Sequence, residues 1–473
     1  MPAIPSESPS PSPPPEPSGT PAGAAPAPAG LLGKMGGGLR RLALRASFFE
    51  IGGYAATQVI RLGSNLVLSR LLFPEAFGLV ALVNIFNTAL QMLSDVGIRP
   101  AVIQSPRGDE PDFLNTAWTV QVMRGFMLYG VAVVMAWPLA AIYREPQLAP
   151  LILVGSLSAV IQGLASTSVF TLRRRLALGT TAVIEVGSQV AGVLVMIPWA
   201  LLHRSVWALV GGVLAGPLFR TVASHVVDVG YRNRLHLEPE ARRALFDFGK
   251  WIFASSAVFF VGQQGDRILL GRLMGVADLG VYSIAIFLSE AVKAAVTAIT
   301  AHVLFPIFSR IQEEGTARLR DIYYRARLGL DALSLPALGL LTVLGPWVVH
   351  LLYDPRYAAA GWMLRALSVR VAMSCMLAPC ESCLFATGQA RYGLYENLVR
   401  LGWVAVFVPL GWYFFGLPGI VYATALSELP VYLVLWIPFR AAGMLRPLLE
   451  LRAVGFYAAG AAVGGLLSLV LHP

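Results

Sequence analysis

Apolar runs of bilayer length recur along almost the whole of this 473-residue chain. That recurrence narrows the fold more than any motif does, because a helix of about 20 apolar residues crosses the hydrocarbon core. On that rule, spans are expected near 48–72, 75–95, 114–142, 147–171, 176–202, 205–230, 247–273, 279–303, 326–352, 357–386, 390–415 and 417–439. A thirteenth run, Ala453 to Leu471, is long enough to span or to lie at the interface, and Arg440 to Arg452 reads as a short amphipathic surface helix. Charged residues are 13% of the chain and hydrophobic residues 56%, where a soluble domain carries about a quarter charged. The expected fold is an all-α polytopic membrane protein with twelve or thirteen transmembrane helices.

Two of these runs carry polar stripes. From Tyr54 to Asp95, Gln58, Arg61, Asn65 and Ser69 fall on one face of the first helix, and Asn84, Asn87, Gln91 and Asp95 on one face of the second. The stretch recurs 202 residues later, where Leu68, Arg70, Leu71 and Gly78 match Leu270, Arg272, Leu273 and Gly280. In that register Arg61 pairs with Gln263, Asn65 with Arg267, Thr88 with Glu290 and Gln91 with Lys293. A duplicated membrane bundle with polar faces around a shared centre is the architecture of secondary transporters. The expected organisation is a Pro-rich, disordered tail with a basic flank (1–46), two six-helix lobes (47–231 and 247–440), a linker (232–246) and a C-terminal segment (441–473).

Charge sets the orientation. Basic residues crowd the tail, the segment Arg173 to Arg175 and the connections 96–113, 231–246 and 304–325, whereas the opposite loops carry Arg70, Arg144, Arg204, Arg272 and Arg356. Such a skew places the N-terminus in the cytoplasm, and it accounts for the net charge of +10 without nucleic acid. Cys380-Glu-Ser-Cys383 lies with Cys375 in one apolar run, lacks further ligands, and reads as packing. The six His show no ligand spacing, and no soluble segment is large enough for an active site, so a transporter without cofactor or metal is expected rather than an enzyme.

Eight basic residues fall inside the runs: Arg61, Arg124, Arg220, Arg267, Lys293, Arg365, Arg370 and Arg400. A charge at a helix centre costs about 2.5–3.5 kcal/mol on insertion scales, so these side chains are expected at a cavity or a partner. Arg61, Arg267 and Lys293 lie on the duplicated stripes and lead as binding residues, with Arg370 and then Arg400 behind them. Arg220 and Arg365 fit snorkelling to the headgroups. Lys293 follows Glu290 at a spacing that suits an internal ion pair. Gln58, Asn65, Asn84, Asn87, Gln91 and Gln263 are candidates for sugar hydroxyls, and Asp95, Asp266 and Glu290 for coupling to protons or sodium.

Several segments carry a family likeness. Ser69-Arg-Leu-Leu-Phe-Pro-Glu-Ala-Phe-Gly78, Asp95-Val-Gly-Ile-Arg-Pro-Ala-Val-Ile-Gln104, Leu114-Asn-Thr-Ala-Trp118 and Leu172-Arg-Arg-Arg-Leu176 with Glu185 resemble the O-antigen and exopolysaccharide flippases. These form the polysaccharide branch of the multidrug/oligosaccharidyl-lipid/polysaccharide exporter superfamily. The resemblance runs from about Phe48 to Arg440. It implies a central cavity between two lobes, and undecaprenyl-diphosphate-linked oligosaccharide moved from the cytoplasmic to the periplasmic leaflet of the bacterial inner membrane. A polysaccharide polymerase and a chain-length regulator are the implied partners. A multidrug cation antiporter of the same superfamily and an O-antigen polymerase or ligase are the alternatives. The first calls for a cavity of acids and aromatics, the second for a large extracytoplasmic loop.

Overall fold

The computed structural model describes residues 37–94, 105–175, 177–227, 230–240, 268–389 and 391–471, with isolated residues between them. The tail, most of the seventh expected span, Asp95, Gln263, Asp266 and Arg267 lie outside the described residues.

Every element in that set is helical. The N-terminal lobe runs α1 (Gly37–Leu71), α2 (Pro74–Leu93), α3 (Pro111–Tyr143), α4 (Leu148–Gly155), α5 (Leu157–Gly163), α6 (Ser168–Arg174), α7 (Leu178–Leu202) and α8 (Trp207–Val226). The C-terminal lobe runs α9 (Val276–Ile299), a π-helical turn at Thr300–Leu304, α10 (Phe305–Ile311), α11 (Thr316–Leu352), α12 (Ala360–Ala386), α13 (Arg391–Phe415), α14 (Leu417–Ala425), α15 (Glu428–Ala441) and α16 (Pro447–Leu471). Among the described residues ten helices are long and apolar enough to cross a membrane, or eleven if the bent α4–α6 segment is one span.

Three boundaries differ from the expectation. Helix α1 starts at Gly37, so the basic flank Arg40, Arg41 and Arg45 is its first turns rather than tail; Leu, Arg and Ala there favour helix. The run 147–171 bends by 57° after Gly163. There the Ser166 backbone N–H donates to Ser224 Oγ at 2.8 Å, and the Ser168 N–H to Ser166 Oγ at 3.1 Å. Hydroxyls therefore replace the helical acceptors at the break. Finally, no separate surface helix occupies 440–452. The chain turns at Gly443, whose φ of +66° suits glycine, and α16 then runs unbroken from Pro447, with Glu450 buried in the protein.

Helix α16 packs along α11. Cβ atoms on Gly339 or Gly460 would strike the facing backbone at Tyr457 and Pro336, so small residues set the approach, and Thr342 Oγ1 lies 2.7 Å from Tyr457 Oη. The final helix is thus an integral part of the C-terminal lobe.

The 202-residue repeat is visible in the contact between lobes. Helices α2 and α9 cross where a Cβ on Gly78 would strike the Val276 carbonyl and one on Gly280 the Pro74 carbonyl. Each contact is the other shifted by the repeat.

The hydrophobic cores divide the molecule by height. One cluster takes residues from both lobes, including Leu68, Leu72, Leu79, Tyr282, Tyr353 and Leu364; it lies at the far end, beside the loops with few basic residues. At the opposite, basic end the clusters are separate. Phe308, Tyr323, Leu330 and Cys380 belong to the C-terminal lobe, and Val102, Phe113, Leu114 and Ala117 to the N-terminal lobe. Among the described residues the lobes share a core at the far end and have separate cores at the basic end.

Candidate functional site

The far end is sealed by aromatic and backbone contacts. Tyr353 Oη donates to Asn65 Oδ1 at 2.8 Å, and Tyr357 Oη to the Leu72 carbonyl at 3.0 Å. The Arg356 guanidinium reaches the Arg70 carbonyl and stacks 4.6 Å from the Phe73 ring centre. Asn65, expected on the cavity wall, is therefore part of this seal.

Below the seal Arg61 is exposed. Its Nη1 donates to Gln58 Oε1 at 3.2 Å, and its guanidinium lies 5.7 Å from the ring centre of Phe287 on α9. Among the described residues Arg61 has no acid at ion-pair distance, and Gln58, which also donates to Tyr54 Oη at 3.2 Å, is a neutral neighbour. Arg61 thus stands between the lobes, with no acid beside it among the described residues.

The other stripe residues divide. Asn84 is exposed on α2. Asn87 is buried and accepts from Ser156 Oγ at 2.7 Å, while its Nδ2 has no partner. The Gln91 carbonyl accepts from Arg124 Nη2 at 2.6 Å, and Arg124 Nε donates to Ser94 Oγ at 2.9 Å. Lys293 is half-buried and makes no ion pair among the described residues. Glu290 pairs with Arg370 of α12 at 3.1 Å, not with Lys293 as its sequence spacing suggested. Two helices meeting face to face offer a shorter path than two long side chains on one helix.

Arg400 is not available to a ligand. It is 5% exposed, and its Nη2 donates to Glu396 at 2.9 Å and Glu428 at 2.8 Å. A second buried arginine, Arg327, is held by Asp331 at 3.1 Å and Glu450 at 2.6 Å, with the phenols of Tyr323 and Tyr432 at 3.0 and 2.9 Å. Sequence reading missed Arg327 as a centre, because Glu450 is far from it along the chain.

The N-terminal lobe holds two polar clefts near the basic end. The first, about 360 Å³, lies between α1 and α7 and includes Gln58, Arg61, Arg173, Glu185, Ser188 and Gln189 in its lining. Arg220 Nη2 pairs with Glu185 Oε1 at 3.1 Å, and Arg173 Nη2 reaches the same oxygen at 4.0 Å. The second cleft, about 180 Å³, includes Gln91, Gln121, Arg124, Gln162, Ser166 and Arg220. Arg220, expected to snorkel, joins the two. Arg365 is exposed and donates to the Thr342 carbonyl at 3.2 Å.

The motifs at the basic ends of the spans fasten loops. Backbone N–H groups of Arg234 and Glu238 donate to Asn115 Oδ1 at 2.8 Å and Thr116 Oγ1 at 3.0 Å, so Leu114-Asn-Thr-Ala-Trp118 pins the start of the interlobe linker. Arg174 bonds Asp109 at 2.8 Å and the carbonyls of Val102, Ile103 and Ser105. Arg107 joins Glu238 at 2.9 Å and Glu110 at 2.6 Å, which raises its guanidinium above the ordinary arginine value.

Residues 67–360 match the family described as polysaccharide biosynthesis protein. The chain belongs to that family. It is 24% identical over 351 residues to the lipopolysaccharide biosynthesis protein WzxC of Escherichia coli, covering 73% of this chain and 71% of that one. It is also 24% identical over 337 residues to the succinoglycan biosynthesis transport protein ExoT of Rhizobium meliloti, covering 71% and 67%. Among solved structures, the lipid II flippase MurJ in an inward closed conformation superposes with a TM-score of 0.72 at 11% identity, over 89% of this chain and 92% of that one. An inward-facing multidrug resistance MATE family transporter of the MOP superfamily gives 0.67 at 14%, over 82% and 95%. These likenesses bear out the resemblance read from the helix-junction motifs and the all-α membrane fold.

Proposed function

We propose that this family member is a flippase for lipid-linked oligosaccharide, captured at the cytoplasmic face of the inner membrane and released at the periplasmic face. Undecaprenyl-diphosphate-linked sugar units are the substrate, and a polysaccharide polymerase with its chain-length regulator takes them up afterwards. The observation that carries this reading is the placing of Arg61. It is exposed between lobes that, among the described residues, share a core at the far end and have separate cores at the basic end.

A sugar and a diphosphate cannot enter hydrocarbon unaided, so they need a polar, cationic wall. Rocking the lobes about the α2–α9 crossing alternates which end is open. On this reading the basic end is cytoplasmic and the seal at Tyr353, Arg356 and Tyr357 is the periplasmic gate. Coupling to a proton or sodium gradient runs through the C-terminal lobe, where Glu290 and Arg370 face each other. The names of the relatives support the substrate class. The drug-antiporter reading calls for an acidic cavity, and the cleft walls of the N-terminal lobe are basic.

The test is a deletion strain whose accumulated lipid-linked intermediate is identified by mass spectrometry. Complementation by this chain should move that intermediate from the inner to the outer leaflet of the cytoplasmic membrane. An unchanged leaflet distribution would defeat the proposal.

A further inference from the structure

We infer that the cleft between α1 and α7 is a diphosphate-capture site, where a polyprenyl-diphosphate headgroup displaces Glu185 from Arg173 and Arg220. It deepens the flippase reading and rests on it, because it names where the substrate is first held.

Charge is the first argument. Arg61 and Arg173 line a space whose only acid among the described lining residues is Glu185, and Arg220 reaches that acid from α8. Among the described lining residues the wall is therefore richer in guanidinium than in carboxylate, which suits a diphosphate. The second argument is geometric. Arg173 and Arg220 aim at one oxygen, Glu185 Oε1, at 4.0 and 3.1 Å. That oxygen sits where a phosphate oxygen would sit between two forks, and arginine suits such oxygens in pairs. Moving Glu185 aside costs little connectivity, since its ion-pair partners among the described residues are the same arginines that the phosphate would satisfy. The space, about 360 Å³, falls within the roughly 300–1,000 Å³ of small-molecule sites.

Depth and surroundings supply the third argument. Glu185 is seven residues into α7 from Leu178 at its basic end, about 10 Å at 1.5 Å per residue, which sets the cleft on the basic-end side of the helix midpoint. Val59, Val183 and Val190 stand beside the cleft residues in sequence and are 71%, 71% and 37% exposed. They give a polyprenyl tail an apolar surface while its headgroup lies in the cleft. Gln189 lines the same space and offers an amide donor to the first sugar, with the Ser188 and Thr57 hydroxyl oxygens as acceptors. Arg220 also lines the second cleft, so a bound headgroup and the polar pocket behind it share one side chain.

The experiment is native mass spectrometry of the purified full-length protein titrated with undecaprenyl diphosphate, undecaprenyl monophosphate or phosphatidylglycerol. Wild type should prefer the diphosphate. Arg220→Gln and Arg173→Gln should each weaken diphosphate retention by about tenfold, the loss of one charge-assisted contact, with Arg220→Lys in between. Glu185→Gln should tighten it, because a competing anion is gone. A structural brace gives the opposite sign, so weakening by Glu185→Gln overturns the inference whatever the arginine variants do to folding. If wild type retains the diphosphate selectively and the arginine variants match it, the cleft is wrong and the flippase reading stands. If wild type does not distinguish undecaprenyl diphosphate from phosphatidylglycerol, both fall.

Discussion

The buried arginine at α11 makes a quantitative expectation. Arg327 is 2% exposed and faces two carboxylates, Asp331 and Glu450, on α11 and α16. Tyr324 Oη donates to Glu450 Oε1 at 3.0 Å, and the Tyr432 phenol bonds its other oxygen. One cation serves two anions, so the two kinds of substitution are unequal. Arg327→Met strands both carboxylates in the protein interior, and breaking a buried pair in that way costs about 3–5 kcal/mol. Glu450→Gln leaves the Arg327–Asp331 pair intact, and its amide oxygen still accepts from a phenol. It should cost about 1 kcal/mol, the scale of one hydrogen bond. Replacing all three groups together, as Arg327→Met with Asp331→Leu and Glu450→Leu, should return stability to within about 1–2 kcal/mol of wild type, since apolar packing substitutes well for buried ions. Equilibrium unfolding in mixed micelles measures all three. Limited proteolysis at the 442–446 turn reports whether α16 has come away, and should be fastest in Arg327→Met. Equal losses for Arg327→Met and Glu450→Gln would refute the electrostatic reasoning, as would a loss under 1 kcal/mol for the former.

Three further expectations follow. Arg61→Ala and Lys293→Ala should reduce surface polysaccharide without lowering membrane abundance, since removing a central charge eases insertion by about 2.5–3.5 kcal/mol; normal export by both would make these residues structural. Gly78→Ala and Gly280→Ala should each push α2 from α9 at an overpacking cost of about 1–3 kcal/mol. Both should raise labelling of Ser69→Cys by an impermeant maleimide added outside, and an effect in one of them alone would break the two-fold argument. Alkaline phosphatase fused after Pro111 or Gly315 should be inactive and after Glu145 or Arg356 active; the reverse pattern would invert the direction of transport.

What the sequence made legible follows from range. Apolar length and the positions of basic residues are local properties, so the spans and the two ends could be read directly. The 202-residue register was legible in four identities, and its physical meaning is the reciprocal glycine contact of Gly78 and Gly280. Pairings between helices were not legible. Arg400 lies four residues after Glu396, which spacing could have flagged, but nothing in sequence links it to Glu428, or Arg220 to Glu185. Glu290 shows how local spacing misleads: Lys293 lies at the right interval, yet Arg370 on the neighbouring helix is its partner. The bend after Gly163 was hidden because its cause is a set of hydroxyls brought together from α8 and the 164–168 turn.

The pairings give the duplicated lobes different electrical characters, and that difference bears on mechanism. In the C-terminal lobe the cations at Arg327, Arg370 and Arg400 each sit against acid: Asp331 and Glu450, Glu290, and Glu396 with Glu428. In the N-terminal lobe Arg61 rests on a neutral amide among the described residues, Arg124 counts a carbonyl and a hydroxyl among its partners, and Arg173 and Arg220 share Glu185. On the flippase reading proposed above, an anionic substrate is drawn to the first lobe and a coupling cation to the carboxylates of the second. Neither lobe alone provides both. A rocking motion about the α2–α9 crossing links the two sites without a direct contact between substrate and coupling ion. Exchange of charge across the gap then has one natural place, where Arg61 meets α9 at Phe287. Phe287→Ala should loosen that link, leaving diphosphate retention by the purified protein near wild type while slowing export. Loss of both together would mean that Phe287 holds the fold rather than the coupling.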